Sequence, residues 1–153
     1  GVKQPDEFAT LVNARAETAM EKPSFKTALK HRRCIVPADA IFEPDWRSGK
    51  AIATRIGSKD GEPLGIAGLW SCWRSHNGNV FSYTMLTINA DAPDLMRPFH
   101  KPVDEKRMVV ILEPNQFAAW LDAPCGSSMD FMRPFPADRL TTAAPTPMEG
   151  TLF

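Results

Sequence analysis

Residues 33–46 read RCIVPADAIFEPDW, and this stretch decides the fold class. Cys34, Ile35 and Val36 form a short apolar run of the kind that makes a strand. Pro37 has no N–H for a sheet ladder, so the run is expected to end there. A second run, Ala40-Ile41-Phe42, delivers one carboxylate, Glu43, directly against Pro44 and just before Trp46. Packing alone gives no reason for a charge at the end of an apolar strand. Flanked by rings, desolvation favours its acid form, which suits proton transfer near neutral pH. The plainer alternative is that Glu43 caps a loop or pairs with Arg47.

Downstream, the pattern is that of an antiparallel meander. Strands are expected over 50–57, 64–73 (LGIAGLWSCW), 80–89 (VFSYTMLTIN) and 108–112 (MVVIL), the last stopped by Glu113-Pro114. Asp60-Gly61 and Asn77-Gly78 are hairpin turn signals. Gly65 and Gly68 inside a strand suggest a bulge or a close backbone approach. Trp70 and Trp73 are three apart, so a regular strand turns them to opposite faces. Helices are expected after a cap at Ser24, after a cap at Asp91, and over 115–121 (NQFAAWL), burying Phe117, Trp120 and Leu121. Residues 131–135 (FMRPF) read as a short extended piece. Fourteen prolines favour short strands and few long helices.

The 153 residues suit one domain, placed at 1–140, with a linker-like tail over 141–153. Eighteen basic and eighteen acidic residues cancel, so global charge argues neither for nor against nucleic acid. Three well-separated cysteines, Cys34, Cys72 and Cys125, do not make a disulfide framework and favour a reducing compartment. No apolar run approaches the ~20 residues of a membrane span, and a cytoplasmic location is expected. The opening Gly1-Val2-Lys3-Gln4 is neither a targeting segment nor a natural start.

Two further groups carry chemistry. Asn13, Arg15 and Glu17 alternate with small or apolar residues, so an extended segment would point all three one way. That is either a recognition surface or the wet face of a strand. His100 sits between Pro98 and Pro102, which stiffen its loop and fix where the imidazole points. A histidine held so can give or take a proton near neutrality; the alternative is an exposed loop histidine. His31, Cys34, Cys72 and His76 have zinc-like spacing, but no Cys-x-x-Cys is present and both cysteines lie in apolar runs, so no metal is expected. No cysteine has the surround of a Cys–His hydrolase beside His100.

With these pieces placed, the chain resembles the SRAP-domain family, the "SOS response-associated peptidase" proteins. The matching runs are Asn13-Ala14-Arg15-Ala16-Glu17-Thr18, Arg33 to Asp39 through Phe42-Glu43, Ala67-Gly68-Leu69-Trp70, Leu86-Thr87, and His100 followed by Lys106-Arg107-Met108 to Leu112. They keep the family's order across nearly the whole chain. The resemblance implies an α+β fold, predominantly antiparallel β, closed into a distorted barrel with a few short helices. It implies recognition of abasic sites in single-stranded DNA, no cofactor, a monomer and a nucleoid-associated place in the cell. In the family, an N-terminal cysteine forms a Schiff base with the opened sugar and then a thiazolidine crosslink. Carried over, Asn13 orients the amine or the sugar, Glu43 shuttles protons, and His100 helps open the sugar ring. Arg15 and Arg107 contact the flanking phosphates. A peptidase acting on proteins and a purely non-covalent binder of single-stranded DNA are the competing readings. The family's leading Cys-Gly-Arg segment is absent, so the nucleophile is expected upstream of this sequence. Pro44-Asp45 separate Glu43 from Trp46, where the commonest pattern has none, and Lys101 to Lys106 separate His100 from Arg107.

Overall fold

The computed structural model describes residues 13–89 and 107–143. Its strands fall into two sheets. The larger holds β1 (Asn13–Arg15), β2 (Arg33–Ala38), β5 (Leu64–Ser75), β6 (Gly78–Asn89), β7 (Arg107–Val109) and β8 (Ile111–Leu112). The smaller runs β3 (Ile41–Asp45), β4 (Ile52–Ser58) and β9 (Leu140–Ala143) in the order β3-β4-β9. This is the expected strand-rich α+β class: a curled half-barrel with few, short helices.

Pro37 does not end its strand. It lies inside β2, opposite Gly65. β2 is the edge of the path β1-β6-β5-β2, and an edge strand tolerates a residue without an N–H. Pro44 sits likewise in β3, the edge of the smaller sheet. The Asn77-Gly78 turn does join a hairpin, β5 to β6, with Gly78 at φ 121°. Asp60-Gly61 does not. β4 pairs with β3 and β9, whereas β5 pairs with β2, β6 and β8, so this turn carries the chain from one sheet to the other.

The strand expected at 108–112 is split. β7 pairs with the end of β6 and β8 with the start of β5. Val110 bridges them: its N–H donates to the Leu86 carbonyl at 2.9 Å and its carbonyl accepts from the Ala67 N–H at 2.8 Å. The hairpin arms part there and the returning chain fills the gap. Gly65 and Gly68 do serve close approach. A Cβ at Gly65 would run into the Phe117 ring, and one at Gly68 would meet the Thr84 carbonyl at 3.0 Å.

Helix α2 (Pro23–His31) begins on Pro23 itself, with Lys22 rather than Ser24 at the cap position. Proline is at home there because its missing N–H is one the first turn leaves unpaired anyway. Phe25, Ala28 and Leu29 form its buried stripe. Pro114–Gln116 make a 3-10 turn into α3 (Phe117–Asp122). Trp120 is fully buried and donates its indole N–H to the Cys34 carbonyl at 2.9 Å, while Leu121, expected inside, is 46% exposed. Residues 125–131 form a 3-10 turn, so Phe131 closes a helical turn instead of opening an extended piece. Thr141 to Ala143, assigned to the tail, continue β9 against β4.

One side chain joins these helices to the sheet. Arg33 of β2 donates to the carbonyls of Leu29 (2.8 Å), Trp120 (2.8 Å) and Leu121 (3.1 Å), and also to that of Ala123. Its guanidinium carbon lies 5.4 Å from the centre of the Trp120 ring. Arg33→Met is expected to lower the unfolding free energy by about 2–4 kcal/mol, measured by urea denaturation, since it orphans several half-buried carbonyls. Arg33→Lys should recover little, because a point charge cannot span a fork of acceptors.

Candidate functional site

β1 lies parallel to β6, with Asn13 opposite Met85 and Arg15 opposite Thr87. Strand alternation turns Asn13 and Arg15 to one exposed face and buries Ala14, 1% exposed, on the other. Glu17 does not join them. The extended segment ends at Arg15, and Glu17 occupies the first turn of α1 (Ala16–Ala19). Ala16 and Ala19 favour that turn, and a carboxylate suits its N-terminal end. These were the signals against a longer strand.

Glu17 instead holds Arg107. The two guanidinium nitrogens of Arg107 donate to the two carboxylate oxygens at 2.9 and 2.8 Å, a bidentate fork. The Asn89 N–H adds a third donor to Glu17 at 3.1 Å. Arg107 also reaches the Thr87 carbonyl at 2.7 Å and its hydroxyl at 3.1 Å. The Arg107 hydrogen bond holds the Glu17 carboxyl below the usual carboxylate range, against a smaller opposing effect of burial. This clamp ties α1, and with it β1, to the joint of β6 and β7. Asn89 and Arg107 are paired across that joint. His100 belongs to the chain between them and lies outside the described residues, as does the helix expected after Asp91.

Glu43 stands on the smaller sheet. It pairs with Thr54 across β3 and β4, two residues from the Ile41–Ile56 pair, so it shares their face. Ile56 is fully buried and Ile41 packs against the core. The carboxyl therefore points inward at a half-buried position, and desolvation raises its pKa to about 7. Arg47 does not answer it. That guanidinium turns to Asp45, with Nη2 at 2.5 Å and Nε at 2.9 Å from Oδ2, and holds the Asp45 carboxyl below its ordinary range. Thr54, opposite Glu43, donates its hydroxyl to the Ile52 carbonyl at 3.2 Å. Among the described residues no donor meets Glu43, which leaves a carboxyl able to hold or release a proton near neutrality.

The structure thus brings Asn13 and Arg15 together on β1, sets Arg107 beside them through Glu17, and carries Glu43 on a separate sheet. Sequence reading missed the Glu17–Arg107 fork, whose partners are 90 residues apart. It also missed the diversion of Arg47, although an aspartate two residues before an arginine at a strand end signals such a turn. Among the described residues no group of three histidine, cysteine or acidic side chains is arranged to hold a metal ion, and no helix is long and apolar enough to cross a membrane.

A family model described as SOS response associated peptidase (SRAP) matches residues 2–146. The abasic site processing protein YoaM of Bacillus subtilis is 36% identical over 135 residues, covering 84% of this chain and 56% of that protein. The abasic site processing protein HMCES of Gallus gallus is 30% identical over 145 residues, covering 80% of this chain and 42% of that protein. The chain therefore spans about half the length of these curated relatives. A crystal structure of a protein from Bordetella bronchiseptica superposes with a TM-score of 0.84 at 50% identity, covering 94% of this chain and 72% of that one.

Glu43 makes stability depend on pH. With its folded pKa near 7 and an unfolded value near 4.5, the folded state binds more protons across that window, so stability falls as pH rises through it. Glu43→Gln should be the more stable protein at about pH 8, by roughly 2 kcal/mol after allowing for partial exposure. The two should melt together at about pH 4, where both carry a neutral side chain. Thermal unfolding at the two pH values checks this, and an equal gap at both would remove burial as the cause.

Proposed function

The chain belongs to the SRAP family, and from that premise we propose that it recognises abasic sites in single-stranded DNA and links to them through an N-terminal cysteine lying upstream of this sequence. The relatives' names support the lesion, and the observation that carries the chemistry is Glu43. It is an inward-facing carboxyl with a pKa near 7, set in a sheet that keeps its neighbouring arginine occupied. Such a group moves protons in both directions at neutral pH, and imine formation requires both.

The reaction runs as follows in this reading. The ring oxygen of the abasic sugar takes a proton as the anomeric hydroxyl gives one up, the ring C–O bond breaks and an aldehyde forms; His100 is the proposed donor. The cysteine α-amine, which titrates near neutrality, attacks the aldehyde carbon. One nitrogen proton passes to the former carbonyl oxygen to give a carbinolamine; Glu43 then takes the second nitrogen proton and returns one to the departing hydroxyl, so water leaves and a Schiff base remains. The thiol sulfur then adds to the imine carbon, nitrogen takes the thiol's proton, and a five-membered thiazolidine closes. Asn13 orients the amine or the sugar through its carboxamide. Arg15 and Arg107 contact the phosphates on either side. Glu17 and Thr87 fix the direction of the Arg107 guanidinium and answer part of its charge.

A denaturing gel tests the reading. This chain, and one extended to an N-terminal cysteine, are each mixed with single-stranded DNA carrying one abasic site. The extended chain alone should give a heat-stable shifted band. If neither shifts while both cleave a test peptide, the peptidase reading replaces this one. In the extended chain, Glu43→Gln should slow band formation by about a hundredfold with DNA affinity nearly unchanged. Arg15→Ala should weaken binding to all sequences alike; a sequence-selective loss would contradict a phosphate contact.

A further inference from the structure

The six-stranded sheet carries an aromatic surface that the crosslinking chemistry does not use. β5 and β6 pair Trp70 with Tyr83 and Cys72 with Phe81, so alternation sets these side chains on one face. Phe81 is 67% exposed, Tyr83 62% and Trp70 37%. The Trp70 and Phe81 rings lie 6.1 Å apart, centre to centre, with their planes 43° apart. A single exposed ring is ordinary on a protein surface; three adjoining rings on one sheet face are an interaction signature.

The register says which interaction. Asn13 of β1 lies opposite Met85, two residues beyond Tyr83 on β6. Asn13 and Arg15 therefore share the face of Tyr83, Phe81 and Trp70, and the surface runs from the proposed lesion contacts to the hairpin tip without changing sides. Among the described residues of β5 and β6 its charge is of one sign. β5 and β6 contain no aspartate or glutamate, and exposed Arg74 lies two residues past Cys72 on the same face. Rings beside guanidinium groups match a chain of bases joined by phosphates: every base has a π-face to stack on, and every phosphate takes a cation. An acidic or purely apolar partner would use only half of this surface.

We infer that this face is a stacking platform for the bases flanking the abasic site, with Phe81 and Tyr83 as its main contacts and Arg74 serving the phosphates. The inference rests on the lesion reading above and adds to it the path of the neighbouring nucleotides. Asn13 stands at one end of the face, so the platform serves one flank of the lesion and not the other.

Fluorescence anisotropy of labelled single-stranded oligonucleotides carrying a tetrahydrofuran abasic analogue tests this with the chain as it is. A short oligonucleotide with about two nucleotides on each side of the analogue is compared with versions lengthened by about six on the 5′ or on the 3′ side. One extension should tighten binding by about tenfold or more, as one or two stacked bases would. The Phe81→Ala, Tyr83→Ala double variant should lose that gain and bind the short oligonucleotide as the parent does. Phe81→Tyr should keep the gain and Phe81→Leu should lose it, because leucine stays apolar but offers no ring. A double variant that keeps the gain overturns the platform, as does a parent that gains from neither extension. A parent that dimerises through this face in sedimentation, with DNA length effects unchanged by the double variant, overturns it in favour of a second copy. If the parent fails to bind even the short lesion oligonucleotide, the lesion reading itself has failed; if it binds and only the length effects are missing, the platform alone has.

Discussion

The Arg33 guanidinium collects the carbonyls of Leu29, Trp120, Leu121 and Ala123, and in doing so gathers the end of α2 and the end of α3 against β2. Helix C-termini leave carbonyls without partners, and a planar fork of five donors answers several at once. Trp120 packs beneath the guanidinium, fully buried, with Phe131 edge-on at 5.7 Å. The helices therefore cover one face of the large sheet. The opposite face of β5, β6 and β1 is left to solvent over its upper part, and that is where Asn13, Arg15 and the aromatic side chains emerge.

A second constraint operates on the small sheet. Glu43 keeps a proton near neutrality because burial disfavours its charged form and, among the described residues, no donor offsets that. Arg47 is only four residues away but is taken by Asp45, and Thr54 spends its hydroxyl on its own strand. Moving either donor to Glu43 would drop its pKa and leave a plain carboxylate. The Asp45–Arg47 pair is solvent-facing on the arginine side and contributes little to stability. Its value in this fold is to occupy the arginine. The penalty of a raised carboxyl pKa at alkaline pH is the kind of local cost that functional sites carry.

The Glu17–Arg107 fork complements both. It fastens α1 to the end of β6, next to the start of the chain segment that carries His100, and so fixes β1 against β6 in a parallel pairing that three residues alone would hold weakly. Parallel strands need a connection that crosses over, and here the ion pair does part of what a longer strand would do.

Local sequence determined a good deal. The alternation around Trp70 and Trp73, the Asn77-Gly78 turn, the stripe of α2 and the inward position of Glu43 all follow from side-chain period and turn chemistry, which act over a few residues. The ordered runs of the SRAP resemblance were legible for the same reason, being short and local. Which edge a strand occupies was not legible. Pro37 read as a stop, and only its edge position made it a strand residue. Nor was the split of residues 107–112 by Val110, which depends on where the hairpin arms diverge. The partner of Arg107 was likewise settled by tertiary structure. An ion pair is chosen by distance in space, and a chain that returns after 90 residues leaves no local mark of the carboxylate it will meet.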